Sequence, residues 1–262
     1  MQQWRSSANV DLAPAVANRD EIVAFADQLL DAGSFRDYGP MGMQVVGAEE
    51  VTKIVCAVSA SLELFEQAAA AGAQMVLVHH GVLWENEPRT IDRRMKSRLQ
   101  ALFDADLALV AYHLALDAHP EIGNNVLLAR ELGIEVEGPF ADIGVGGSFP
   151  GGVSIDELVA RLGRSVGREP LVFADGPARI GRAAVVTGGG ARFVSDAAAQ
   201  EYDALVTGEA AEPTMMNARE LGIHLLAGGH YATERLGIQA LAARIAGRFD
   251  VEWEFIELDN PV

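Results

Sequence analysis

Short apolar runs alternate with longer stretches of helical periodicity along almost the whole chain, and this alternation restricts the fold more than any other feature. Asn18 followed by Glu21 has the form of a capping box opening the helix "RDEIVAFADQLLDAG", with Gly33 as its close. Next come the strand "TKIVCAV", the helix "LELFEQAAAAG" and the strand "QMVLVHH". A basic helix over 91–103 leads to the strand "LALVAYH" and the helix "PEIGNNVLLARELG", ending at Gly133. Residues 136–179 are rich in Gly and Pro and hold one expected helix, capped by Ser154 with Glu157. The order then recurs: strand "AAVVT", helix "ARFVSDAAAQ", strand "ALVTGE", helix "EPTMMNARELG", strand "IHLLAGGH", helix "ATERLGIQALAARIAG". A last alternating run, "DVEWEFIEL", reads as an edge strand with charge on one face. The pattern is that of an α/β protein.

The recurrence extends to polar positions. "FEQAAAAGAQMVLVHHG" aligns with "RFVSDAAAQEYDALVTGEA" at an offset of 129 residues, which sets His80 opposite Glu209. His113-x-x-x-Asp117 aligns with His230-x-x-x-Glu234 at an offset of 117, the first half carrying the longer basic helix. Any two βαβ units share apolar strands and alanine-rich helices, but here the polar punctuation matches as well. We therefore expect one domain over 1–262, made of two similar, duplicated α/β lobes with a site between them. Lobe one spans about 1–135, a connecting segment about 136–179 and lobe two about 180–262.

Charge and cysteine usage narrow the partners. The net charge of −17 works against extended nucleic-acid binding, which relies on Lys and Arg to neutralise phosphates. The densest basic cluster, "RTIDRRMKSR", spreads its charges round a helix and reads as a solvated face. The single cysteine, Cys56 in "IVCAV", rules out an internal disulfide and suits a reducing compartment. No apolar run approaches the length of a membrane span, and the start "MQQWRSSANVDLAPAV" lacks the apolar core of a signal peptide. The expectation is a cytoplasmic protein.

Three polar clusters follow strands: His79-His80, His113-x-x-x-Asp117 and His230-x-x-x-Glu234. In open α/β sheets, ligands collect beyond the carboxyl ends of strands. A bend at Gly81 would let both imidazoles turn to one point, although side chains on a strand alternate between faces. "GGHYATERLG" leaves a strand through two glycines and enters a helix, where His230 and Glu234, four residues apart, share a face and can meet one cation. Asp117 would add an oxygen from the first lobe. Imidazole with carboxylate suits zinc, manganese or iron, and one cysteine excludes a thiolate cage. These ligands are enough for two divalent ions, which at roughly 3.5–4 Å can share and deprotonate a water.

His119 before Pro120 reads as a turn residue and His224, opening a strand, as structural. His113 reads as a residue orienting Asp117, with direct ligation as the alternative. Glu209 either caps the following helix or serves as a nearby base; the acid that protonates a leaving group is His113 or Glu209. "VVTGGGAR" fits either a phosphate cradle or close strand-to-helix packing, and it lacks the Lys-Ser/Thr pair of a P-loop. "DYGPMGMQVVG", with Gln44, fits a site wall or a plain turn. The methionines show no metal-binding repeat and read as filling.

"GMQVVG", "VLVHHG", "YHLALDAHPEIGNN", "LVTGE" and "GGHYATERLGIQAL", in this order, resemble the Nif-three-like dinuclear metal centre family, also labelled GTP cyclohydrolase I type 2, in its short bacterial form. The resemblance implies that His79, His80, Asp117, His230 and Glu234 are the metal ligands, with Glu234 bridging two ions. Where the family commonly has His-Thr-Asn-Leu-Asp, Leu114 and Ala115 replace the inner polar pair. The likeness also implies a homohexameric ring with metal sites facing an internal cavity. The function it implies is metal-dependent hydrolysis: attack at C8 of the guanine ring of GTP with release of formate, or hydrolysis of a related nucleotide or phosphoester. The alternative is a non-catalytic metal-binding assembly or chaperone protein forming a ring. A nucleic-acid-binding ring fits the charge least well.

Overall fold

The computed structural model describes residues 15–262. Residues 1–14, most of the stretch read above as lacking a signal peptide, lie outside the described residues. Strand β1 (Ala17–Asn18) enters helix α1 (Arg19–Leu30), where Asn18 Oδ1 accepts from the Asp20 and Glu21 N–H groups as the capping pattern required. The helix ends at Asp31, in the left-handed region at φ +48°, rather than at Gly33. A short polar side chain tolerates that conformation, and Gly33 falls in a following 3₁₀ turn.

Strands β2 (Gly42–Val45), β3 (Glu50–Val51) and β4 (Lys53–Ser59) precede helix α2 (Leu62–Ala70), strand β5 (Met75–His80), helix α3 (Arg93–Asp104) and strand β6 (Ala108–Ala111). A single turn, α4 (Leu114–Asp117), is followed by α5 (Asn124–Leu132), which Gly133 closes at φ +79°. β4, β5 and β6 pair in parallel, with β2 antiparallel against β6. Their side chains divide by parity: Ile54, Cys56, Met75 and Leu77 enter one apolar cluster, and Val55, Ala57, Val76 and Val78 enter another. Both faces are covered, which is why these strands read as continuous apolar runs.

The second half runs β7 (Glu135–Phe140), β8 (Gly144–Val153), α6 (Ile155–Val166), β9 (Leu171–Ala174), β10 (Ile180–Val186), α7 (Val194–Ala199), β11 (Ala204–Thr207), α8 (Thr214–Leu221) and β12 (His224–Ala227). Another single turn, α9 (His230–Thr233), precedes α10 (Arg235–Phe249) and β13 (Glu252–Phe255). The second sheet has the order β7-β8-β10-β11-β12-β9 and the first β13-β4-β5-β6-β2. In each, three parallel strands are bordered beyond the third by an antiparallel strand that precedes them in the chain. Each then gives a one-turn helix and a longer one, an order consistent with duplication.

Residues 136–179 do not form a separate connector, since they supply β8, β9, α6 and nearly all of β7 to the second sheet. Glycines hid the strands. In "GVGGSFPGG" the usual alternation is missing because a Cβ on Gly146 would lie 1.9 Å from the Tyr202 hydroxyl, and one on Gly147 2.1 Å from the Glu135 carbonyl. The halves also exchange their closing helices. Leu128, Ala129 and Leu132 of α5 pack with the second sheet, whereas Ile238, Leu241 and Ile245 of α10 pack with the first. β13 follows, joining the edge of the first sheet parallel to β4. Neither half keeps its core without the other. Leu241→Ala, at a position with no exposure, is therefore expected to destabilise the whole domain by about 2–5 kcal/mol in urea unfolding. No helix of the described residues is long and apolar enough to cross a membrane.

Candidate metal centre

β5 ends on the histidine pair. The His79 side chain is fully buried, and its Nδ1–H donates to the Tyr112 carbonyl at 2.8 Å. A carbonyl only accepts, so the other ring nitrogen, Nε2, is left to face the site. It lies 3.5 Å from Asp117 Oδ1 and 3.7 Å from Glu234 Oε1. His80 is tethered at Nδ1 to the Ser59 hydroxyl, at 3.0 Å across β4, and its Nε2 stands 3.2 Å from Glu234 Oε2. The two rings are 4.7 Å apart, so both imidazoles do meet one carboxylate. The turn that follows is held by Gln44, which accepts from the Val82 N–H and donates to the Pro40 carbonyl, both at 2.8 Å. A Cβ on Gly81 would sit 2.2 Å from Gln44 Oε1. "DYGPMGMQVVG" is thus a wall of the site.

From the second half, β12 runs out into Gly228 and Gly229, the latter at φ +101°, and α9 begins on His230. His230 Nε2 is 3.4 Å from Glu234 Oε2, as the spacing of four required. Glu209 lies on the outer side, with Oε1 3.5 Å from His230 Nδ1. The N-cap of the next helix is Pro213, so Glu209 is not a cap. Asp117 closes α4 and accepts from Asn124 Nδ2 at 2.8 Å, while Asn124 Oδ1 accepts from the Gly237 N–H at 2.7 Å. One buried amide therefore fixes the carboxylate of the first half to the closing helix of the second.

His113 is held elsewhere than expected. Its Nδ1–H donates to Asp37 Oδ1 at 2.8 Å, and the Leu114 N–H donates to Asp37 Oδ2 at the same distance. Its backbone carbonyl accepts from the Asp117 N–H at 3.1 Å, but among the described residues its side chain makes no hydrogen bond to Asp117, and its ring stands 5.0 Å from that of His79. Burial alone would raise the Asp37 carboxyl, but the His113 bond and those from backbone N–H groups hold it below its ordinary value.

Asp37, Asn124 and Ser59 orient first contacts of the site, and sequence reasoning missed all three. Only the loop around Asp37 and the "GNN" after α4 carried a signal. The triple glycine after β10 resolves as close packing. Gly188 has φ +61°, and a Cβ there would lie 2.1 Å from Glu234 Oε1. His119 accepts from the Glu121 and Ile122 N–H groups in a turn, and His224 bridges Gly176 and Pro177. Both lie outside the cluster, as expected.

The ligand atoms of His79, Asp117 and Glu234 lie within 4.8 Å of one another, as do those of His80, His230 and Glu234; Glu234 belongs to both sets. A third such set joins His113 to His79 and His80. Burial drives His80 down to about 3, so it is a neutral imidazole with a lone pair to give. Burial would also depress His79, but Asp117 and Glu234 outweigh it and raise it to about 9. For Glu234 burial opposes ionisation, yet His80 and His79 hold it down at about 2; burial raises Asp117. Within the His/Asp/Glu cluster two atoms remain orphaned: His79 Nε2 and Glu234 Oε2 are buried with no hydrogen-bond partner among the described residues. Buried polar atoms are nearly always partnered, and these two point at the places a cation would fill. The donors are all nitrogen and oxygen. Cys56 lies in the core of the first sheet with its thiol pushed up to about 12 by burial, and takes no part.

Comparison with known proteins agrees with this architecture. A protein of Pseudomonas aeruginosa named "GTP cyclohydrolase 1 type 2 homolog" is 43% identical over 245 residues, covering 92% of this chain and 97% of that one. The solved structure of protein ybgI, described as of unknown function, superposes with a TM-score of 0.91 at 40% identity, covering 94% of this chain and all of the other. TTHA1606 from Thermus thermophilus gives a TM-score of 0.87 at 33% identity with the same coverage. The model of the family Duf34/NIF3 (NGG1p interacting factor 3) matches residues 17–261, and the chain belongs to that family.

Proposed function

We propose that the chain binds two divalent ions, with zinc, manganese or iron the fitting choices, and is a hydrolase that uses them. His79 and Asp117 would hold one ion, His80 and His230 the other, and Glu234 would bridge them. The observation that carries this reading is the sharing of Glu234 by two adjacent ligand sets, with an orphaned atom in each. When bound, such a pair supplies Lewis acidity and activates water at neutral pH. The chain's own groups supply the rest. Tyr112 and Ser59 fix the histidine rings, Asn124 fixes Asp117, and Gly188 brings the backbone close enough to exclude water from Glu234. His113, oriented by Asp37, and Glu209, beside His230, are the candidates to hand a proton to a leaving group.

The names of relatives support ring opening of GTP with release of formate, and the same ligands serve a phosphoester hydrolase. Protein loaded with zinc, manganese or iron in turn should release formate from GTP, or phosphate from nucleotides and simple phosphoesters. Absence of turnover on every substrate with both ions bound would favour the alternative, a non-catalytic assembly or chaperone ring. The family resemblance supports a homohexamer with a nucleotide as the small-molecule partner, and the single cysteine suits the cytoplasm. Light scattering tests the first of these.

Metal uptake should also release protons. His79 is raised to about 9, so the ion-free chain carries a proton on it at pH 7, and an ion must displace that proton. About one proton per chain is expected at pH 7, and none from this group above pH 10. Titration calorimetry in buffers of different ionisation enthalpy measures it.

A further inference from the structure

The candidate centre opens into a cavity of about 170 Å³ lined by residues that the metal reading leaves unused. Arg192 is one of them, on the same wall system as His230 and Glu234. The Arg192 side chain is exposed and, among the described residues, makes no ion pair and no hydrogen bond. Its guanidinium instead stacks on Phe193, 4.7 Å from the ring centroid, and Phe193 is braced edge-on by Phe140 at 6.3 Å. Stacking leaves the guanidinium edge, with its fork of N–H donors, free while limiting the motion of the side chain. Thr187, also in the cavity wall, has a buried hydroxyl with no partner.

We propose that Arg192 recognises the phosphate of the substrate, and that the substrate class is a compound whose phosphoryl group enters this cavity. This deepens the metal-hydrolase reading and rests on it. The cavity, walled in part by Asp117, His230 and Glu234, has room for a phosphoryl group beside the centre. A tetrahedral phosphoryl group can offer oxygens to Arg192 and to the ions at once. A planar carboxylate offers two oxygens on one side and satisfies only one of them. The charge fits too: two divalent ions and Arg192, against Asp117, Glu234 and Glu209, leave an excess that a phosphate dianion balances.

The test is calorimetric titration of inorganic phosphate into metal-loaded protein, with metal content measured on the same samples. Wild type should bind, Arg192→Ala should bind roughly 10- to 100-fold more weakly, and Arg192→Lys should fall between, keeping the charge but losing the fork. Arg164→Ala, on α6 and outside the cavity, should match wild type. Equal affinity in wild type and Arg192→Ala, or equal loss in Arg164→Ala, would overturn the proposal while leaving the metal centre intact. So would acetate binding as tightly as phosphate. Samples that take up no metal at all would overturn the parent reading, and this proposal with it.

Discussion

Glu234→Gln is expected to remove both ions at once, whereas substitution of any other ligand should spare one of them. The glutamine is nearly the same size, so packing around the start of α10 persists and circular dichroism should be unchanged. What goes is the negative charge that stands 3.2 Å from His80 Nε2 and 3.4 Å from His230 Nε2 through one oxygen, and 3.7 Å from His79 Nε2 through the other. Loss of a mere outer partner of a metal ligand costs about 10–100-fold in affinity. A shared ligand should cost more than about 100-fold for each ion, read as loss of metal after gel filtration. Any hydrolytic activity should fall with it. His230→Ala is the contrast, because it removes a ligand from one set only and should leave about one ion per chain.

The second large effect falls on a residue that ligates nothing. Gly188→Ala must place a Cβ 2.1 Å from Glu234 Oε1 and 2.9 Å from His230 Nε2, on backbone at φ +61°. The left-handed conformation alone costs an alanine roughly 1–2 kcal/mol, a fall of a few degrees in Tm for a chain of this size. Steric contact with the carboxylate is the greater effect, because both contacts are to the ligand atoms and they must move. Metal capacity should drop towards that of Glu234→Gln while most of the fold stability remains. A Gly188→Ala protein with full metal content would show that this loop does not hold Glu234 in place.

The cluster of His79, His80, Asp117, His230 and Glu234 was legible in the sequence because each member sits where a strand or its following turn ends, and only polar residues interrupt the apolar pattern there. The parallel strands were legible for a related reason. Buried on both faces, "KIVCAV" and "MVLV" read as unbroken apolar runs. β7 and β8 were not, because their glycines are small to admit Tyr202 and the neighbouring backbone, which erases alternation. The exchange of α5 and α10 was hidden as well, since an apolar helical face does not say which sheet it covers. Asp37 and Asn124 escaped for a similar reason. A single polar residue in a loop, or the first residue of a helix, gives no sign of the side chain it will meet across 76 or 113 positions. The side-chain partner of His113 was hidden in the same way: it is Asp37, from the loop before β2, and not the nearby Asp117.

All of this depends on cations meeting imidazoles and carboxylates contributed by both halves. Elemental analysis of protein purified without chelator, with dialysed zinc, manganese or iron returned to saturation, counts them directly. The account predicts two ions per chain in the wild type, about one in His230→Ala and none in Glu234→Gln. A wild type that saturates at zero, or a count that Glu234→Gln leaves unchanged, would contradict it.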